Sequence, residues 1–231
     1  FNFSLIFLFF CLVGLFDVAV KQKEESVEMD LAPLGPAAYV FLIFPVIFWG
    51  AVLYFAGKTS LASVDFLNSL KAAANNDGTQ TYNLQIKAIQ TDPWSPAYRI
   101  GYSQTNFALA NSLAAKKDLT ESDRNTVSQL VQQSLREARA AVSLDPSNIG
   151  SWENLANLYR NLINFAQDAD QWTVATYQEA IKLDPLNPQL RLDLGGVYFG
   201  QKNYNQAALF FNQATQLKPD LANAHYNLAS A

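Results

Sequence analysis

The chain has 231 residues, a net charge of −4 at pH 7 and a sequence pI near 5.0, and half of its residues are hydrophobic. That length has room for one folded domain and an anchor, and the acidic balance argues against nucleic acid, which demands a basic face. Cys11 is the single cysteine, which excludes an intrachain disulfide and a thiolate metal cluster.

Apolar residues crowd the first 57 positions. Residues 1–20 contain a nearly charge-free run from Phe1 to Phe16. It lacks the basic leader and small-residue cleavage site of a signal peptide, and Leu8, Phe9 and Phe10 do not suit lipidation of Cys11. The run reads as part of a membrane helix whose beginning is missing, and the sequence as part of a longer protein. An acidic connector comes next, at 21–35. Residues 36–57, centred on Ala37 to Ala56, are predicted to cross a membrane, because a 20-residue apolar helix spans roughly 30 Å. Tyr39 and Tyr54 sit where interfacial aromatics belong, Lys58 is placed to snorkel, and Pro45 is expected to kink the helix. Lys21 and Lys23 balance Lys58 and Lys71, so the positive-inside rule selects neither orientation. Two such helices put Phe1 and everything after residue 57 on the same side.

Helical sequence resumes near Leu61 with almost no linker, which holds the C-terminal helices close to the bilayer. In the unit at 61–93, Thr81, Gln85, Ala88 and Asp92-Pro93 set out a spacing that recurs as Ser134, Ala138, Ala141 and Asp145-Pro146 in the unit at 96–146. The second unit is roughly 19 residues beyond the usual period of such repeats. Its helices, Pro96 to Ala115 and Glu121 to Ser143, are therefore each expected to be about two turns longer, with Thr120 and Asp123 forming a capping box. An irregular helical bundle is the alternative for this stretch. The unit at 149–185 has Trp152, Leu155, Ala156 and Tyr159, then Thr173, Tyr177, Ala180 and Asp184-Pro185, with about five extra residues expected in the turn from Asn164 to Gln171. At 188–219 come Leu194, Gly195 and Tyr198, then Ala207, Phe211, Ala214 and Pro219. Gly195 and Ala207 are expected where two helices come closest, since a bulky side chain there would force them apart. An incomplete unit at 222–231 offers His225, Leu228 and Ala229.

The offset from Thr173 to Ala207, Tyr177 to Phe211 and Pro185 to Pro219 is a constant 34 residues. With the pattern Leu-Gly-x-x-Tyr, then Ala, Phe, Ala and Pro, the chain resembles the tetratricopeptide repeat. The implied fold is all-α: N-terminal transmembrane helices followed by a tetratricopeptide α-solenoid. The resemblance implies a concave groove lined by the first helices, where Glu153, Asn154, Asn157, Arg160, Asn161, Asp193 and Asn227 would meet an extended peptide or a sugar. Some members of this family grip a C-terminal carboxylate with a basic cluster, and Arg160 stands nearly alone here.

No catalytic residue, metal ligand or cofactor site is expected. His225 is the sole histidine and takes the position held by Trp152 and Arg191, so it reads as a packing residue. No Ser or Cys nucleophile has a second histidine to activate it. Gly195-Gly196 lies within a helix and opens no phosphate loop. Glu121, Asp123, Asp145 and Asp184 are caps or turn residues by position.

The first reading is a membrane-anchored module that binds a protein or peptide partner, itself membrane-associated, at the bilayer surface, without being an enzyme. In the second, the layout resembles the C-terminal part of bacterial O-antigen ligase or polymerase-like membrane proteins with such repeats, and this chain would be the non-catalytic tail of a glycan-assembly enzyme. The third is structural self-association, through the apolar face around Tyr226, Leu228 and Ala229. The setting these readings share is a bacterial inner membrane, and a repeat region rich in Asn, Gln, Ser and Thr favours an extracytoplasmic array.

Overall fold

The computed structural model describes residues 36–231. The expected partial helix at 1–20, the connector at 21–35 and Cys11 lie outside the described residues, as do the side chains of Tyr39 and Pro45. Among the described residues there are nine helices and no strand: α1 Pro36–Ala74, α2 Gly78–Thr91, α3 Pro96–Ala114, α4 Glu121–Leu144, α5 Ile149–Asn161, α6 Ala169–Leu183, α7 Pro188–Gly200, α8 Tyr204–Leu217 and α9 Ala222–Ser230. The chain divides into two compact units, Phe1–Ser60 and Leu61–Ala231.

In the first unit, Ile43, Phe44, Ile47, Phe48, Leu53 and Phe55 are each more than half exposed. Lys58 Nζ lies 5.7 Å from the centroid of the Tyr54 ring. Among the described residues one helix is long and apolar enough to cross a membrane, by length and composition, with a qualifying stretch Ile47–Ala74 of mean hydropathy 1.2. The periodicity of the sequence divides one helix at 36–57 from another starting near 61. The backbone instead keeps a single 39-residue helix. Nothing between Gly57 and Leu61 stops it, since one interior glycine costs only about 1 kcal/mol and no proline intervenes.

The second unit is built from helices that bury small residues such as Ala88, Ala138, Ala180 and Ala207 beside larger ones such as Tyr102, Leu155 and Leu194. Several of their starts are set by side-chain caps: Asp77 accepts from Gln80 N at 2.9 Å, Asn148 from Ser151 N at 3.2 Å, Asn187 from Gln189 N at 3.0 Å and Asn203 from Gln206 N at 3.3 Å. The capping box of α4 is present, with Thr120 and Asp123 each bonding the other's backbone N–H. At 19 and 24 residues, α3 and α4 are longer than the 13 and 14 residues of α7 and α8. The extra residues of the third unit lie mainly between α5 and α6, where residues 162–168 form the connection and Asn164 and Asp168 take positive φ of 74° and 57°.

The core is a chain of small clusters, each joining helices of neighbouring units. Ala62, Ala88 and Tyr98 form one with Phe66; Ala138, Leu155, Leu158 and Tyr159 form the next. Tyr177, Leu190, Leu194 and Val197 pack with Ala156 and Ala180, and Leu192, Ala207, Phe211 and Ala214 pack with Ala224 of α9. This is the nearest-neighbour architecture of a solenoid. Gly195 does sit at a close approach: a Cβ there would lie 2.6 Å from the Phe211 ring and 3.3 Å from the Ala207 carbonyl.

Candidate functional site

The expected groove residues divide into a connected group and two that stand apart. Arg160 at the end of α5 donates from Nη1 to Oδ1 of Asp193 on α7 at 3.1 Å, tying together the first helices of successive units. Asn157, one turn back, accepts at Oδ1 the hydroxyl of Tyr177 at 2.9 Å. Asn161 donates its Nδ2 to the Asn157 carbonyl at 2.7 Å. Glu153 completes the row on α5, and its carboxyl is held above the usual range by burial first and then by the charges of Asp193 and Asp184. Burial also pushes the Tyr177 hydroxyl up, with Asp193 adding to it.

Asn154 is not a groove residue. It is 6% exposed, and its Nδ2 donates to Ser103 Oγ at 3.2 Å, within a polar seam where Ser134 Oγ also donates to the Ser103 carbonyl at 2.8 Å. The helical step of 100° turns it inward from Glu153 toward α3. Asn227 lies on α9, in the next unit, half-buried and without a side-chain bond to the Arg160–Asp193 group. The charge of Arg160 is matched by Asp193.

Sequence reasoning missed the depression beside this row. Arg160, Ile163, Asn164, Asp170, Gly196 and Gln201 are among the residues lining a space of about 510 Å³ between the end of α5, the start of α6 and the end of α7. Its floor is bare helix: a Cβ at Gly196 or at Gly200 would meet nothing within 4 Å. The signal was present as Gly196 and Gly200 one turn apart, but only the seven-residue α5–α6 connection turns that face into a concavity. Among the described residues no group of three His, Cys, Asp or Glu side chains is placed to hold a metal ion.

This geometry, helix pairs stacked so that first helices share one polar row, defines a helical solenoid of the tetratricopeptide type. Residues 166–231 match the family model described as tetratricopeptide repeat. The solved structures agree in fold: the MamA protein covers 75% of this chain and 81% of its own at 17% identity and a TM-score of 0.56. A tetratricopeptide repeat protein from Parabacteroides merdae covers 74% of this chain and 58% of its own at 16% identity and a TM-score of 0.58. Among curated proteins, Tetratricopeptide repeat protein 5 of Bos taurus and of Mus musculus are each 28% identical over 124 residues, 51% of this chain. The match spans 28% of the length of those relatives. These similarities show the helical-repeat fold.

Proposed function

We propose that this chain is a membrane-anchored interaction module whose first-helix row binds an extended segment of a partner protein. The observation that carries the reading is the cross-unit row itself: Glu153, Asn157, Arg160 and Asp193 present both acceptors and donors beside an open depression. An extended backbone needs both, because each of its residues brings one donor and one acceptor. Asn157 uses its Oδ1 on Tyr177 and keeps its Nδ2 for a partner carbonyl. With Arg160 matched by Asp193, Glu153 gives the row an acidic bias, which suits a partner segment bearing a basic side chain rather than a terminal carboxylate. The apolar exposed surface of α1 supports the anchor.

Site-specific photocrosslinking from position 161 of the full chain in its native membranes tests this reading. A crosslinked partner that disappears with Arg160→Glu, while the protein still resists alkaline extraction, is the expected result. Crosslinking indifferent to Arg160→Glu, or a protein released by alkaline extraction, would overturn the corresponding half of the proposal.

The apolar stretch of α1 followed by repeats also favours a second reading, the non-catalytic repeat portion of a polytopic O-antigen ligase or polymerase-like protein. The intact mass of the protein made by its native cell separates the two: a mass far above 25.6 kDa with further membrane segments supports the second.

A further inference from the structure

A different surface is organised around Tyr159, which is 6% exposed. Arg139 on α4 donates from Nε to the Tyr159 hydroxyl at 2.9 Å, and its Cζ lies 5.7 Å from the ring centroid. Trp172, in the first turn of α6, stacks with the same ring at 6.2 Å between centroids and 26° between planes, yet remains 54% exposed. One buried tyrosine thus fixes a guanidinium and an indole in place, so little rotamer freedom is left to lose on binding.

The cations of this surface lack dedicated counter-charges. Arg139 enters no ion pair among the described residues. Arg136, one turn earlier on α4, reaches Glu137 only at 3.5 Å, and that carboxylate is already held by Arg99 at 2.7 Å. Gln132, Leu135, Arg136 and Arg139 line a dent of about 310 Å³. Asp170, the nearby carboxylate of α6, lines the depression beside Gln201 instead. In a chain of net charge −4, this leaves Arg139 without a carboxylate partner and Arg136 sharing Glu137 with Arg99, beside an open aromatic face.

We propose that Arg136, Arg139 and Trp172 form a docking surface for an acidic peptide segment of a partner protein, one that carries an aromatic side chain among its carboxylates. Charge complementarity selects this occupant. The guanidinium fork matches a carboxylate in two parallel hydrogen bonds, and Arg, Tyr and Trp are the residue types that dominate binding hot spots. The exposed face of Trp172 takes the aromatic side chain by stacking. This surface is separate from the groove: Tyr159 is buried between Arg139 and Trp172, whereas Arg160 turns to Asp193 on α7.

The test uses the full chain in nanodiscs of uncharged lipid and, as probe, a fluorescein-labelled peptide with glutamates on both sides of one phenylalanine, read by anisotropy. Saturable binding is expected, weakened about tenfold by Arg139→Gln and by Trp172→Ala, which is a loss of about 1.4 kcal/mol each. Affinity should fall as salt rises. Because Arg139 also packs on Tyr159, Arg136→Gln provides the exposed-position variant, with far-UV circular dichroism confirming an unchanged fold; it too should weaken binding. Absence of saturable binding, or affinity indifferent to both Arg136→Gln and Trp172→Ala, would overturn the proposal. So would phosphatidylglycerol vesicles that displace the peptide and bind with the same dependence on Arg139, because the surface would then be a lipid contact.

Discussion

The indole Nε1 of Trp152 donates to the carbonyl of Pro146, six residues back, at 2.8 Å. Two other units repeat the bond at the same reach: Arg99 donates to the Pro93 carbonyl at 3.2 Å, and His225 Nε2 meets the Pro219 carbonyl at 2.8 Å. Arg191 turns instead to the Asn187 carbonyl at 3.2 Å. A carbonyl only accepts, so His225 must carry its proton on Nε2. The expected packing role of His225 is thereby corrected to that of an exposed donor that latches the turn between units. Trp152→Phe, which keeps an aromatic ring of smaller size and removes the donor, should cost about 1 kcal/mol or more and lower the thermal midpoint followed by circular dichroism. A midpoint equal to that of the parent protein would deny the latch any weight.

Adjacent glycines should respond with opposite signs. A Cβ at Gly195 would lie 2.6 Å from the ring of Phe211, which is 1% exposed and cannot move aside. Gly195→Ala is expected to lose about 1–3 kcal/mol to overpacking, less the roughly 1 kcal/mol of helix propensity gained. At Gly196 a Cβ meets nothing within 4 Å, so Gly196→Ala keeps the propensity gain alone, about 0.5–1 kcal/mol. Urea unfolding of the two variants checks the contrast.

The start of α4 should loosen in acid. The carboxyl of Asp123 is held below its usual range, first by the Thr120 hydroxyl and then by the Thr120 backbone N–H. A depressed folded-state value means stabilisation that is complete above the unfolded value and disappears as pH falls through the folded one. Hydrogen-exchange protection of the first turn of α4 should therefore decline through the acidic range, and Asp123→Asn should remove that dependence. Thr120→Ala, which deletes the other half of the box, should cost about 1 kcal/mol.

Glu153 should act in the opposite sense. Burial, followed by the charges of Asp193 and Asp184, raises its carboxyl, so its contribution is greatest below the unfolded value and is lost as pH rises through the folded one. Glu153→Gln is expected to raise the thermal midpoint at neutral pH and to have little effect in acid. A lowered midpoint at neutral pH would instead indicate that the carboxylate makes a stabilising contact.

The long α3 and α4, the capping box at Thr120 and the close approach at Gly195 were all legible, because each depends on local spacing or on one small side chain. The candidate site was legible only in part. A 34-residue offset assigns residues to first helices, but whether a side chain faces the groove or a neighbouring helix depends on packing. Asn154 and Asn157 are both asparagines on α5, yet one is buried against Ser103 and the other bonds Tyr177. The turn after α7 was equally hidden: Lys202 takes φ 62°, with Lys202 N bonded to Phe199 O and Asn203 N to Tyr198 O. Glycine is the usual signal for that motif, and a lysine there gives none.

By itself, then, the sequence determined the helical class, the repeat length, the caps and the apolar stretch of α1, since periodicity and turn chemistry act over a few residues. Tertiary structure decided which polar side chains meet. The Arg160–Asp193 bridge, the Tyr159 contacts with Arg139 and Trp172, and the depression over Gly196 each join residues from different helices. Their geometry is set by how successive units stack, which no single repeat specifies alone.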